Sequence, residues 1–349
     1  MEVAELTGDS PEWREFLETN ETQIFHTPEW GAFVKKAFPG ARHVFMAASE
    51  GGKISGIFPF TEVKSAVFGN KLISCAFMDY GGPAGDTNQL EGVFEGIKKR
   101  YASSFDYLEV HRGLTDFGSS MERLGMTGYV GGKRFVTQLG NAEELWSRIS
   151  KQKRKAVRKA EEASLKVKPV ERQELKELHK LYLASMKEFG SPPYPMRFFE
   201  SFYDTFVERG LGRIFGTYHE GELVAVLVGF TYKRRIHIII NVSDKRFWDM
   251  RPNDILHWEF LKWGCENAYE TFDWGRSRTS VASPPNFFKR MWATTEEDFP
   301  HYYMLWKAKK IPNVDPEGPR YRLLVKLWKK LPTLLARSAG ARLREGLGV

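Results

Sequence analysis

The chain has 349 residues, 42% hydrophobic, 14% aromatic and 28% charged, a composition that excludes a disordered chain and supplies two cores. At roughly 100–200 residues per domain, the length suggests two domains. The net charge is +8, yet residues 320–349 hold eight Lys or Arg against one acid, Glu345, so the body is nearly neutral and any nucleic-acid argument must be local.

No run of about 18 apolar residues occurs, and the opening MEVAELTGDSPEW lacks a basic, apolar and small-residue leader pattern. Cys75 and Cys265 form no disulfide framework. The eight His are scattered, without an HExxH or Cys/His cluster, so no metal site is expected. These features read as a soluble, reduced, cytoplasmic protein.

In chain order, PEWREFLE and PEWGAFVKKAF read as helices, and 43–62 as a β-hairpin. FGNKLISC reads as a further strand, 90–102 as a helix and YLEVH as a strand. Between them, DYGGPAG (79–85) is a glycine-rich turn without a GxGxxG or GKS pattern. It reads as a tight turn or a close backbone approach to a ligand, with Tyr80 as a candidate substrate contact. The same order returns downstream. Helices are expected over 142–163 and 171–188, then a proline-rich loop, SPPYP (191–195), with Tyr194 inside it, and PMRFFESFYDTFVERG (195–210). The hairpin 213–232, the strand RIHIIINVS, the helix 254–268 and the strand TFDWG complete the second half.

The repetition is visible in residues. VFMAASEGGKISGIFPFT (44–61) aligns with IFGTYHEGELVAVLVGFT (214–231) without a gap at an offset of 170, with Phe45/Phe215, Glu50/Glu220, Gly51/Gly221 and Phe60/Phe230 identical. FDYLEVHRGLT (105–115) echoes YETFDWGRSRT (269–279) at 164, pairing Glu109 with Asp273. Two matched segments in the same order indicate a duplicated unit. The fold class is α/β, with mixed α+β sheets. The expected units are 1–140 and 141–310, with a basic amphipathic tail, 311–349, that returns to the first unit or lies at an anionic membrane.

Three segments carry candidate chemistry. WSRISKQKRKAVRKAEEA holds Arg148, Lys151, Lys153, Arg154, Lys155, Arg158 and Lys159 with no acid between them, a pattern suited to a phosphate backbone. The plainer reading is a solvated helix face neutralised by Glu161, Glu162 and distant acids. The stretch 272–305 ends a strand at Trp274 and Gly275, carries Arg276 and Arg278 on a loop as candidate anion contacts, and then reads FFKRMW. There Lys289 and Arg290 are flanked by Phe287, Phe288 and Trp292. A cation fenced by aromatic rings is partly desolvated and acts more strongly on a nearby oxyanion; the plainer reading is a snorkelling lysine. In the tail, Leu324, Leu327, Trp328 and Leu331 share one helical face beside Lys326, Lys329 and Lys330, with Pro332 breaking the helix. That face suits a membrane interface with Trp328 at the rim, or packing on the first unit.

One absence completes the reading. An acetyl-CoA enzyme of this strand–helix layout normally carries a glycine-rich pyrophosphate cradle after its long central strand. Here that turn is SDKRFWDMRPND, without glycine. Coenzyme A is therefore disfavoured as the acyl donor, and no cofactor is expected.

The chain resembles the Fem-type aminoacyltransferases (FemA, FemB, FemX, the peptidoglycan-bridge family), above all the FemAB-like branch associated with exopolysaccharide and exosortase systems. The resemblance is carried by FHTPEWGAFVK, GKISGIFPF, SAVFGNKLIS, SKQKRKAVRKA, FDWGRS and FFKRMW, and runs over most of the chain. It implies a tandem duplication of two GNAT-like acyltransferase units. It also implies transfer of an amino acid from aminoacyl-tRNA to an amine of a lipid- or nucleotide-linked envelope precursor, at the inner face of the membrane. Lys289 matches the functionally important lysine of the family's F-K motif. Lys35, with Lys36 one residue on, matches a substrate-phosphate lysine. Tyr194 stands where the family has a second phosphate-contacting arginine, a departure that weakens the case for a UDP-muropeptide acceptor. In such a reaction Lys289 stabilises the oxyanion and protonates the leaving oxygen, with Asp273 and Asp79 as candidates for the base. The competing readings are an acyl-CoA-dependent GNAT enzyme and a non-catalytic membrane-surface adaptor.

Overall fold

The computed structural model describes residues 2–114, 117–278, 284–312, 326, 328, 329, 331 and 333–348. Two compact units form. Unit 1 comprises Met1–Gly131, Phe299–Leu324 and Ala339–Val349; unit 2 comprises Gly132–Asp298 and Val325–Ser338. Neither is continuous in sequence.

Unit 1 opens with strand β1 (Glu2–Leu6) and two helices with the same start. Helix α1 (Pro11–Thr19) is capped by Ser10, whose hydroxyl accepts from the Trp13 backbone, and α2 (Pro28–Ala37) by Thr27, which accepts from that of Trp30. In each, Pro fills the first position, where no N–H is needed, and Glu complements the helix dipole. Trp13 and Trp30 are fully buried. The hairpin β2 (Ala41–Glu50) and β3 (Lys53–Val63) follows, then β4 (Lys71–Ile73), β5 (Ala84–Gly85), helix α3 (Thr87–Tyr101) and β6 (Tyr107–His111). Helix α4 (Gly118–Arg123) leads to β7 (Thr127–Gln138).

Unit 2 begins with α5 (Ala142–Arg148) and α6 (Lys151–Glu162). The single helix expected over 142–163 is two, because Ser150 leaves the helical conformation and its hydroxyl caps α6 by accepting from the Lys153 backbone. Next come β8 (Lys166–Pro169), α7 (Leu175–Phe189), and α8 (Met196–Phe202) running into a π-helical turn at Tyr203–Val207. The hairpin β9 (Gly212–His219) and β10 (Glu222–Tyr232), β11 (Arg235–Ser243), α9 (Pro252–Glu266), β12 (Thr271–Arg278), α10 (Pro284–Arg290) and β13 (Thr295–Leu305) follow. Helix α11 (Thr333–Leu347) ends the chain.

The two sheets have one plan. Unit 1 has the order β1-β2-β3-β4-β6-β13, with β5 beside β3; unit 2 has β8-β9-β10-β11-β12-β7. In each, the fourth and fifth strands are parallel and their neighbours antiparallel. The sixth strand of each comes from the other half of the sequence: β13 pairs with β6, and β7 with β12. The fold is α/β, a tandem duplication of a mixed-sheet unit, as the repeats imply.

Register tests the duplication residue by residue. The echo at 164 is in register. Ile73 pairs with Glu109 as His237 pairs with Asp273, and Lys71 with Tyr107 as Arg235 with Thr271. The hairpin alignment is one residue out. Glu50 and Lys53 close one turn and His219 and Glu222 the other, an offset of 169 rather than 170. A one-residue slip in a strand reverses every side chain. The identical Phe60 and Phe230 therefore face different neighbours. Phe60 joins the core with α3 residues Leu90, Phe94 and Ile97, whereas Phe230 packs on Phe202 and Phe206. The turn explains the slip: both central residues take positive φ, Gly51 and Gly52 in one copy and Glu220 and Gly221 in the other.

Candidate active site

In unit 2 the parallel pair β11 and β12 is joined from Arg235 to His237 and from Thr271 to Asp273; among the described residues the pairing ends there. Beyond it, β12 bulges. Gly275 sits at φ +70°, and the register with β7 shifts between Asp273 and Arg276. Lys289, half-buried on α10, donates from Nζ to the carbonyls of Gly275 at 3.2 Å and Arg276 at 3.3 Å. Its ammonium is thereby held over the end of the strand.

The rings around Lys289 serve another cation. Lys153 of α6 places Nζ 3.7 Å from the centre of the Phe288 ring and 5.4 Å from that of Trp292. It also donates to Asp254 Oδ1 at 2.5 Å, and both side chains are buried. The aromatic fence expected around Lys289 and Arg290 thus closes on Lys153. Phe287 is exposed, and Arg290 forms a forked pair with Glu296. Burial pushes the Lys153 amine down, against the pull of Asp254. Behind these groups His257 packs on Trp274 and Phe288. It makes hydrogen bonds with the Asn253 carbonyl at 2.6 Å and the Asn241 amide at 3.2 Å. Burial, joined by the charges of Lys153 and Lys289, lowers it to about 3, so the ring is neutral.

The start of α9 bears on the acyl donor. Pro252 has no N–H, Arg251 rather than a glycine takes the left-handed conformation at φ +64°, and the Asp254 carboxylate lies in the first turn. A helix N-terminus attracts anions; here the protein supplies its own.

The other expected site residues divide clearly. On α6, Lys151, Lys155, Arg158 and Lys159 are exposed. Lys153 is internal, and Arg154 caps the preceding turn by donating to the carbonyls of Trp146, Ser147 and Ile149. The helix is therefore half a structural brace and half an open basic face, and the acid facing Lys153 is the distant Asp254. Lys35 and Lys36 are exposed in the last turn of α2, where the helix dipole favours cations. Tyr194 is a core residue, stacked on Phe198 at 4.0 Å, so its ring offers little surface to a substrate. Tyr80 is likewise buried, edge-on to Phe299. The glycines beside it meet the protein rather than a ligand: a Cβ on Gly82 would lie 2.6 Å from the Gly113 nitrogen. Arg276 packs over Gly132. The Arg278 side chain lies outside the described residues. Asp273 is a poor candidate base, because Arg134 Nε donates to it at 2.7 Å and the Gly275 N–H at 2.9 Å.

In the tail, Leu324, Leu327, Lys330 and Pro332 lie outside the described residues. Lys326 and Lys329 are exposed, but Trp328 is buried, which removes the ring expected at a membrane rim. The end of α11 belongs to unit 1: the Gly40 N–H donates to Glu345 Oε1 at 2.5 Å and the Phe77 N–H to the Gly348 carbonyl at 2.8 Å. No helix among the described residues is long and apolar enough to cross a membrane.

A cluster in unit 1 escaped the sequence reading. Glu109 Oε1 accepts from His111 Nε2 at 3.1 Å, His301 Nδ1 at 2.9 Å and the Tyr303 hydroxyl at 3.0 Å. The two imidazoles stack at 4.2 Å. The E-x-H spacing on β6 puts Glu109 and His111 on one face. His301 reaches them only because β13 pairs there. Burial would raise the Glu109 carboxyl, but the hydrogen bonds from both histidines hold it well below the usual range.

Residues 147–290 match the model of an acetyltransferase (GNAT) domain. Among solved structures, the chain is similar to FemX, at 14% identity and TM-score 0.71, covering 93% of this chain and all of that one. It is similar to L-PGS from Bacillus licheniformis, at 15% identity and TM-score 0.58, covering 92% and 98%. A tandem GNAT protein from the clavulanic acid biosynthesis pathway aligns at 11% identity and TM-score 0.54, covering 88% and 99%. No curated protein matches the sequence. The chain thus has the tandem GNAT fold, and the GNAT-domain match falls in unit 2.

Proposed function

We propose that the protein is an N-acyltransferase that moves an amino acid from aminoacyl-tRNA to an amine of a cell-envelope precursor. The observation that carries this reading is the start of α9. Pro252, Arg251 and the Lys153-bound Asp254 occupy the place where a coenzyme A pyrophosphate would need backbone N–H groups. The likeness of the whole chain to FemX, and of much of it to the C-terminal domain of a putative lysylphosphatidylglycerol synthetase, supports the same direction. So does the exposed half of α6, where Lys151, Lys155, Arg158 and Lys159 face solvent, ready for an RNA backbone. The resemblance to the FemAB-like branch supports an acceptor in envelope or exopolysaccharide metabolism.

In this mechanism the acceptor amine attacks the carbonyl carbon of the aminoacyl ester. An amide bond forms, the ester C–O bond breaks, and the ribose oxygen leaves. Lys289 is anchored by two carbonyls, so its ammonium needs little reorganisation to meet the charge developing on the oxyanion and to protonate the leaving oxygen. Asp273 is locked to Arg134, so the proton lost by the attacking amine goes to another acceptor.

A second reading, acyl transfer from coenzyme A, is favoured by the acetyltransferase-model match over 147–290. Mass spectrometry of candidate acceptors incubated separately with aminoacyl-tRNA and acetyl-CoA decides between them. The proposal expects the mass of one aminoacyl residue to appear with the charged tRNA. An acetyl increment instead establishes the second reading. No product with either donor across amine acceptors points to an adaptor.

A further inference from the structure

From the geometry of unit 1 we infer a binding site for one borderline divalent cation of the zinc type, held by Glu109, His111 and His301. This inference is independent of the acyl-transfer reading. Two imidazoles and one carboxylate are a nitrogen–oxygen donor set suited to zinc, cobalt or nickel and poorly suited to magnesium or calcium. The three donor atoms lie within 4.8 Å of one another. Two of their separations, 3.1 and 2.9 Å, are close to the edge of about 3.3 Å that metal–ligand bonds of about 2.0–2.1 Å impose on a tetrahedron. For these two carboxylate–imidazole edges the change needed is a few tenths of an ångström.

The protonation chemistry is inexpensive. Each imidazole now turns an N–H toward the carboxylate, and a metal requires a lone pair there. Moving each proton to the other ring nitrogen meets that need without changing the net charge. For His111 the hydrogen bond to Glu109 sets the present tautomer; Nδ1, buried and without a hydrogen-bond partner, is open to the proton once a cation takes the place of that bond. The Tyr303 hydroxyl can keep its hydrogen bond to Glu109 and orient the carboxylate as the two imidazoles exchange their hydrogen bonds for the metal. A small cleft lined by Pro83, Arg112, Gly113, Pro300 and Tyr302 borders His111.

The duplication sharpens the inference. At the equivalent place in unit 2, the acid is Asp273, the residue two further on is Gly275, and the sixth strand supplies Arg134. There the acid is neutralised by a cation that cannot ligate a metal; in unit 1 the side chains that hydrogen-bond to the acid, His111, His301 and Tyr303, carry atoms that can.

The test is zinc titration of the full-length chain, by calorimetry and by 15N NMR of the histidine rings. The expected result is one saturable site per chain, with the ring nitrogens of His111 and His301 shifted at saturation. His301→Ala and Glu109→Gln should each weaken binding at least tenfold, and Glu109→Gln retains an acceptor for the imidazoles if the alanine variant folds poorly. Absence of saturable binding, wild-type affinity in Glu109→Gln, or saturation with those ring nitrogens unmoved overturns the site.

Discussion

The two units place an acid at the same position of the fifth strand, and each unit completes it with a residue from the exchanged sixth strand. In unit 2, Asp273 receives the guanidinium of Arg134. In unit 1, Glu109 receives His111, His301 and Tyr303. Arginine stays charged at all relevant pH, so the unit 2 pair is a fixed brace at the strand end to which Lys289 of α10 is hydrogen-bonded. Imidazole can change tautomer and ligate, so the unit 1 cluster keeps its chemistry open. A second difference goes with the first. Unit 2 adds α6, whose Lys153 ties the start of α9 to Phe288 of α10 and to Trp292 just beyond it through one buried ammonium. Duplication supplied one scaffold, and the partners of single acids separated the roles.

The largest effect expected from breaking this asymmetry is on stability. Lys153→Ala strands the Asp254 carboxylate in the interior and should cost about 3–5 kcal/mol in urea unfolding. The double change Lys153→Met with Asp254→Leu should restore most of it. A single-variant loss below about 1 kcal/mol would show that the ion pair braces nothing. Nearly as large is the effect on turnover. Lys289→Ala should lower acyl transfer by about 10²–10³-fold in steady-state assays, the cost of one missing oxyanion donor. Near-wild-type turnover in a folded variant would remove Lys289 from the mechanism.

A third expectation concerns pH. The folded His257 takes up a proton only near 3, whereas in the unfolded chain it does so near 6.5. Between those values the unfolded state binds the extra proton, so stability falls as pH drops through the window, by a few kcal/mol at the acid end. His257→Gln should flatten that slope in denaturant titrations at a series of pH values; an unchanged slope would place the acid sensitivity elsewhere. The smallest effect is on RNA contact. Replacing the exposed Lys155, Arg158 and Lys159 with Gln should reduce the log–log salt slope of tRNA binding by about 2, at about 0.7 per lost phosphate contact on single strands. Changing Arg154, which caps the end of the preceding helix α5, should leave the slope alone. An unmoved slope in the triple variant moves the RNA off this face.

The sequence made the repeated unit legible because hairpins and parallel strands repeat their residue types. The FDYLEVHRGLT echo even lies in the observed register. The hairpin alignment failed by one residue because the Glu and Gly that anchored it occupy different places in the two turns: Gly51 and Gly52 turn one, Glu220 and Gly221 the other. Strand exchange was invisible, since no local pattern tells a strand which sheet it completes. That concealed the Glu109 cluster, whose His111 and His301 are 190 residues apart. Lys153 was legible as a charge and not as a buried one, because its neutralising Asp254 is 101 residues away. Tyr194 sits in a proline-rich loop, a setting that suggests a cleft, yet its ring fills the core.

The central claim, that unit 2 takes its acyl group from an RNA ester rather than from coenzyme A, meets its most direct test in one reaction. Equal concentrations of alanyl-tRNA and acetyl-CoA compete for a single amine acceptor, and the product is read by mass spectrometry. The account predicts an alanyl amide, with acetyl product no higher than in an enzyme-free control. An acetyl amide that depends on Lys289 would contradict it.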